Sequence, residues 1–321
     1  MRRLKILDTE SSILVRRIKK SGFIYYMRRD IFLYLLMFLP MVYIFLFKYG
    51  PMYGVLMAFQ NYNLFNGIWG SQWVGLDIFK EIFQRNEFWR AVRNTFLLNG
   101  LDLAAGFPAP IILALLLNEL RNLRFKKITQ TVLYLPHFLS WVIIGGITFL
   151  MFSSNGLANH SLISLLGIND PIPFLSNKLN WLIVYVIIGI WQNAGWGTII
   201  YLAAIAGINR ELYEAVEVDG AGRFKKMWHI TLHSIKPTII ILLILQLGRM
   251  VSIGFDRPFN IGNSLVSEYS DVISTYVYAV GLKAGEFSQA TAIGLFQSVV
   301  SMAFLLAANT ISEKSGEQGI W

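Results

Sequence analysis

Few residues in this chain have a type and spacing suited to chemistry. Arg249 stands in an apolar run 12 residues after Pro237. At 1.5 Å per helical residue that is about 18 Å into a span, near the membrane midplane. A guanidinium there would hold a carboxylate through two parallel hydrogen bonds, or pair with a buried acid such as Asp102. Both readings stay open, because sequence alone does not set Asp102 against Arg249. Gln246, about one turn earlier, could share the face of Arg249. A second apolar run holds Trp191, Gln192, Asn193 and Trp196, indoles and amides that can stack on sugar rings and bond their hydroxyls. Membrane helices also use amides to bind neighbours and Trp to anchor at interfaces. His229 and His233 have the i, i+4 spacing of a helical metal pair but no third ligand, so they read as exposed loop histidines. His137, after Pro136, reads as a hydrogen-bonded packing residue.

No glycine-rich phosphate loop, Gly-x-Ser-x-Gly elbow or zinc signature occurs, and there is no cysteine. Those absences leave no catalytic residue, no metal or cofactor site and no thiol chemistry to assign, and no means of hydrolysing ATP within this chain.

The elements that position these residues must sit in lipid. Of 321 residues 55% are hydrophobic and 15% charged, with a mean hydropathy of +0.52, far from the composition of a soluble domain. A spanning helix needs about 20 mostly apolar residues. Six runs qualify: Ile31 to about Val55, with Lys48 near its end; Arg93 to Glu119, with Asp102, Pro108 and Pro110 inside and hence an expected kink or break; Ile128 to about Phe152; Leu179 to Asn209; Pro237 to about Phe255; and Phe287 to Ser312. The fourth, as helix roughly 46 Å long, must project or turn at its ends.

Orientation follows from the excess of Lys and Arg on cytoplasmic loops. Residues 1–30, 119–127, 207–236 and the tail after 312 carry 19 of the 28 basic side chains, which predicts both termini in the cytoplasm. The expected organisation is a basic cytoplasmic segment over 1–30, a six-span domain over 31–312 and a cytoplasmic tail over 313–321. In the first segment Ile13, Leu14, Ile18, Phe23 and Ile24 alternate with cations, as in a helix on anionic headgroups or in a purely topogenic tail. The formal charge of +9 thus reflects topology and lipid, not nucleic acid. The loop from Tyr53 to Arg93, rich in aromatics, reads either as a face for a solute receptor or as an interfacial belt.

One cytoplasmic stretch, 207–236, is long for a connector. Glu211 to Asp219 and Arg223 to Thr231 each carry an amphipathic helical pattern, separated by Gly220, which can take positive φ and end the first helix. A pair of helices this short buries too little to stand alone and calls for a partner with a groove.

The run EAVEVDGAGRFKKMWHITLHSIKP resembles the EAA loop of permease subunits of binding-protein-dependent ABC importers. Glu214, Ala215, Asp219, Gly220, Ala221, Trp228, Ile230, Leu232 and Pro237 fall where that pattern has them, while Val216 and His233 depart from it. Asn94-Thr95, LALLLNEL from Leu113, YLP at Tyr134 and IIYLAAIAGI from Ile199 are similar to the same family, and GFD at Gly254 with DVISTYVY at Asp271 to the subgroup for oligosaccharides and complex polysaccharides. The resemblance implies an all-α integral membrane protein of type I ABC importer permease architecture in a prokaryotic cell membrane. It implies that the loop is a coupling helix docking on a separate ATPase, with Ala215, Ala221, Phe224 and Met227 as an apolar knob and Glu214 and Asp219 pairing with basic groups there. Small residues at Ala215 and Gly220 permit close approach.

The partners implied are a second homologous permease subunit, two ATP-binding subunits that hold ATP and Mg, an extracytoplasmic solute-binding protein, and an oligosaccharide, for which Arg249 would suit a uronate. A different class of protein, a stand-alone secondary transporter or channel, would show internal pseudo-symmetry and midplane acids for ion coupling. Here Asp102 is the one clear midspan acid.

Overall fold

A computed structural model describes residues 29–167, 170–218 and 220–314. Expectations for the basic segment 1–28, for Asp219 and for the tail after Lys314 lie outside the described residues. The chain falls into two units, the first ending at Leu56 and the second running from Met57. In the first, α1 (Ile31–Ile44) continues through a π turn, Phe45–Tyr49, into a 3-10 stretch, Gly50–Phe59, whose last three residues already belong to the second unit. The charge on Lys48 therefore does not end this run, which reaches past Val55 to give a 29-residue candidate span.

The second unit opens with a two-stranded antiparallel pairing, β1 (Gln60–Asn61) with β2 (Gln72–Trp73), followed by α2 (Asp77–Gln84). Then come α3 (Asn86–Leu101), α4 (Pro108–Asn118), α5 (Leu123–Tyr134), α6 (Trp141–Phe152), α7 (Leu157–Leu166) and α8 (Lys178–Ala206). Among the described residues, and with Ile31–Phe59 included, five helices are long and apolar enough to cross a bilayer, or six when one bent pair is counted. Helix starts are set locally. Asn122, Asn177 and Ser140 each accept N–H bonds from the first turn of the helix they precede, satisfying donors that have no intrahelical partner.

Two proline-bearing runs behave differently. In the second span α3 and α4 are joined by a π turn, Asp102–Gly106, in which Phe107 N–H reaches Asp102 O at 2.8 Å. The wider turn leaves the span continuous from Asn86 to Asn118, with Pro108 in a first-turn position where its missing N–H is harmless. The third run, expected as one helix from Ile128 to Phe152, is instead broken. A 3-10 turn at Leu135–Phe138 and extended backbone at Leu139 separate α5 from α6. Pro136 in the tight turn and the Ser140 cap explain the break, and the apolar span becomes Trp141–Leu165.

The fifth run also departs from expectation. After α9 (Arg210–Val218) and α10 (Arg223–Lys226), which runs on through a π turn and one further turn to Ser234, α11 covers Lys236–Gly248 and stops there. The Arg223–Ser234 and Lys236–Gly248 segments meet at 58°. Beyond Arg249 the chain is irregular up to α12 (Asp256–Ile261). Val251 is nonetheless fully buried. Irregular backbone inside a membrane protein must find internal partners. Asn99 Nδ2 donates to Met250 O at 2.8 Å and Gln297 Nε2 to Val251 O at 2.9 Å. The last elements are α13 (Ile273–Tyr278) and α14 (Phe287–Lys314).

Among the described residues the core has three clusters. One joins α2, α3 and α14 around Phe88, Ile82 and Ile293; a second surrounds Trp181 and Tyr185 of α8 with Ile144 and Val272; a third packs Ala114 and Leu115 of α4 on Tyr201, Ile205 and Ile235. The Asn94-Thr95 pair has a physical task. Asn94 Nδ2 donates to the carbonyls of Glu268 and Asp271, both at 2.9 Å, and Thr95 Oγ1 accepts the N–H of Ile273 at 3.0 Å.

Candidate functional site

The π turn of span two with the start of α4, α8, α11 and Arg257 of α12 line a half-open cavity of about 470 Å³. Arg249, as the residue capping α11, and Gln246 in its last turn both reach it, and Asn193 and Trp196 face it from α8. Trp191 and Gln192 do not line it. On a helix the residues at 189, 193, 196, 197 and 200 share one stripe, whereas Gln192 turns into the core and Trp191 to the outer surface. The expected cluster of four is therefore split. His137 stacks flat on the Trp196 indole, 4.7 Å between centroids. Its Nδ1 is buried with no hydrogen-bond partner among the described residues, so at this atom the expected hydrogen-bonded packing residue packs instead by its ring face on Trp196.

Asp102 also lines the cavity, but its partner is Arg257 rather than Arg249. Arg257 Nη1 donates to Asp102 Oδ2 at 2.7 Å, with the two side chains 11% and 20% exposed. Its Nη2 donates to the Tyr185 carbonyl at 2.5 Å, and the guanidinium lies 3.6 Å over the Tyr185 ring. Gly189 makes room for this: a Cβ there would fall inside the guanidinium. The pair ties the π turn of span two to the start of α12 and to α8. With Arg257 neutralised, Arg249 is left as the uncompensated cation among the described lining residues, with no carboxylate at ion-pair distance. A lone acid in a span signals that some cation must reach it. Choosing Arg257, which sits among loop residues in the sequence, required the tertiary fold.

The second candidate site is the elbow made by α9 and α10. Gly220 has φ of +75°. Its N–H donates to Glu217 O at 3.0 Å while Ala221 N–H donates to Val216 O at 3.1 Å, the paired bonds of a Schellman ending. Tyr213 and Thr231 hydroxyls bond at 2.9 Å, and Lys226 Nζ lies 2.7 Å from Glu217 Oε2. Lys226 holds the Glu217 carboxyl below its ordinary range through that bond. Both contacts join the two helices into one piece.

Of the expected knob residues, Ala215 and Phe224 are exposed, Phe224 by 73%, and Ala221 is half-buried. Met227 instead packs into the third core cluster and anchors the elbow to the bundle. Val218, 89% exposed, belongs to the free apolar surface and was missed, because in the helical pattern it falls beside the acids and not on the apolar stripe. Glu214 lines a polar cleft with Lys126, Gln130 and Arg210. His229 and His233 are both exposed, and among the described residues no cluster of three metal-ligating side chains occurs.

Comparison with known proteins gives a consistent result. Residues 106–314 match the family described as the binding-protein-dependent transport system inner membrane component. Protein LplB of Bacillus subtilis (strain 168) is 46% identical over 296 residues, covering 92% of each chain. The polygalacturonan/rhamnogalacturonan transport system permease protein YteP of the same organism is 42% identical over 310 residues, covering 97% of this chain and 96% of its own. Among solved structures, a chain of a bacterial alginate ABC transporter, crystallised with an alginate pentasaccharide-bound periplasmic protein, superposes with a TM-score of 0.82 at 39% identity, over 92% of this chain and 98% of that one.

Proposed function

The chain belongs to the family of binding-protein-dependent transport system inner membrane components, a multi-pass membrane subunit of the ABC importer permease fold, and we propose that it forms one half of the path by which an oligosaccharide enters the cell. In this reading the solute arrives on an extracytoplasmic binding protein, a homologous permease supplies the other half of the path, and two separate subunits bind and hydrolyse ATP. Both termini and the elbow face the cytoplasm of a prokaryotic cell, as the distribution of Lys and Arg favours.

The observation that carries the sugar reading is the cavity itself, which combines an indole, two amides and one unpaired guanidinium. A ring face can stack on the indole, hydroxyls can bond Asn193 and Gln246, and a uronate carboxylate can meet Arg249. The relatives named for polygalacturonan and alginate handle acidic polymers, which supports an acidic oligosaccharide here. The elbow supports coupling: an apolar-tipped piece held to the bundle by Met227 moves with whatever it docks on, and the spans follow as a two-state element.

The test is uptake into proteoliposomes carrying the full complex, with neutral and uronate-containing oligosaccharides compared. A charge-assisted hydrogen bond is worth about 1.5–3 kcal/mol, so Arg249→Ala should lower uptake of the acidic substrate roughly 10- to 150-fold relative to the neutral one. Equal losses on both would reject the carboxylate role, and uptake by this chain without an ATPase would reject the importer assignment.

A further inference from the structure

The segment from Gln60 to Gly75 is not used by the transport reading. Its sixteen residues carry no charged side chain, yet Phe65 is 96% exposed and Trp69 89%, with Leu64 and Leu76 exposed on either side. Leu64, Phe65 and Trp69, three large apolar groups exposed within so short a stretch, with Leu76 a fourth just beyond it, call for a partner.

The stretch is built, not loose. Strands β1 and β2 close its base, where Phe59 stacks on Trp73. At the tip, Asn63 O accepts from Asn66 and Gly67, Asn63 Oδ1 accepts from Phe65 N–H at 2.9 Å, and Ser71 Oγ both accepts from Asn63 N–H at 2.9 Å and donates to Gly67 O at 2.6 Å. Gly67 takes φ of +64° to make this turn. Backbone groups that are paired internally can leave bulk water at low cost.

Its depth is fixed by α14. Ser288 Oγ donates to Gln60 O at 2.7 Å and accepts from Tyr62 N–H at 2.9 Å, and the Tyr62 ring meets Phe287 edge-on. Ser288 is the second residue of α14, whose charge-free run begins just after Glu286. The base of the hairpin therefore sits level with the end of the last span, where hydrocarbon gives way to headgroups, and the uncharged tip extends from that level. Trp, aromatic rings and amides without charge are the composition of that layer. Over these sixteen residues there is none of the charge complementarity that steers a soluble partner.

We propose that the hairpin 60–75 is a lipid anchor, with Leu64, Phe65 and Trp69 seated at the headgroup–acyl boundary of the bilayer. Because the segment is uncharged, its insertion does not depend on anionic lipid. The chain has no cysteine of its own, so Asn66→Cys at the exposed tip takes a single spin label. The label is read in the full complex, with partner subunits freed of reactive cysteines, in nanodiscs of phosphatidylcholine and of a phosphatidylcholine–phosphatidylglycerol mixture. Lys80→Cys serves as a water-facing reference.

The expected result is a severalfold higher ratio of collisions with oxygen over a water-soluble nickel chelate at position 66 than at 80, equal in both lipids. Adding Phe65→Ser and Trp69→Ser should bring that ratio down to the reference value. A label as open to nickel as the reference overturns the proposal. So does a label shielded from both reagents, whether in the complex alone, which marks a subunit interface, or after adding the solute-binding protein, which marks its docking face. A ratio that survives removal of both aromatics overturns it as well.

Discussion

Gly220 offers the sharpest test of the elbow. Its φ is +75°, while a Cβ placed on it meets no atom within 4 Å. Steric crowding inside the chain and backbone strain are therefore separable at this position. An L-residue with a Cβ is disfavoured in the left-handed region by roughly 1–2 kcal/mol, and Asn by less. If the free loop relaxes that strain and docking restores it, Gly220→Ala weakens association with the ATPase subunits by about 5- to 30-fold. Gly220→Asn keeps most of the affinity, although it adds a larger side chain. Gly220→Trp loses coupling outright, because bulk is then forced into the docking face. The assay titrates purified ATPase subunits against the permease pair in nanodiscs, reading complex assembly and then uptake per ATP hydrolysed. If Ala were silent, or if Ala and Asn lost affinity equally, the left-handed Schellman ending would not be what shapes the elbow for docking, and the reasoning fails.

Other consequences are open to measurement. Asp102→Asn strands the Arg257 guanidinium away from water. Breaking a buried pair costs about 3–5 kcal/mol, and the retained Tyr185 contacts favour the lower end, so thermal stability of the complex should drop and should recover in Asp102→Asn with Arg257→Gln; a single variant as stable as the parent refutes the pairing. Asn99→Leu removes the donor to Met250 O and leaves a buried acceptor unpaired, about 1–3 kcal/mol; hydrogen exchange over residues 249–254 should rise while the rest of α3 stays protected. For Glu217, the folded carboxyl is held below its ordinary value by Lys226, so its contribution to the elbow is complete above the unfolded pKa of about 4.3 and fades as pH falls through the lower folded value. Exchange of amides 210–231 should accordingly be insensitive to this pair above about pH 5, apart from the intrinsic chemical rate, and Lys226→Gln should remove the acid-side loss of protection.

Much of this protein was legible from residue order because the interactions concerned are local. Charge-free runs of sufficient length mark spans whatever they pack against, since the bilayer imposes the same demand on each. The elbow was equally readable. Helical spacing on both sides of Gly220 and a residue able to take positive φ specify two short helices and a Schellman turn without reference to the rest of the chain, and the observed bonds from Gly220 and Ala221 are those such a turn requires.

What only the fold decided is which polar groups meet. In a string of letters Arg249, inside an apolar run, is the visible candidate for Asp102, and Arg257 reads as a loop residue. The choice came from the π turn that presents Asp102, the missing Cβ of Gly189 and the Tyr185 ring beneath the guanidinium. The break after Gly248 was hidden for the same reason. An apolar run reads as continuous helix until a distant Asn99 or Gln297 supplies hydrogen bonds that let the backbone leave it. Periodicity records how a segment satisfies itself; partners 46 to 177 residues away, as in Gln297–Val251 and Asn94–Asp271, satisfy what it leaves over, and those are fixed only when the helices pack.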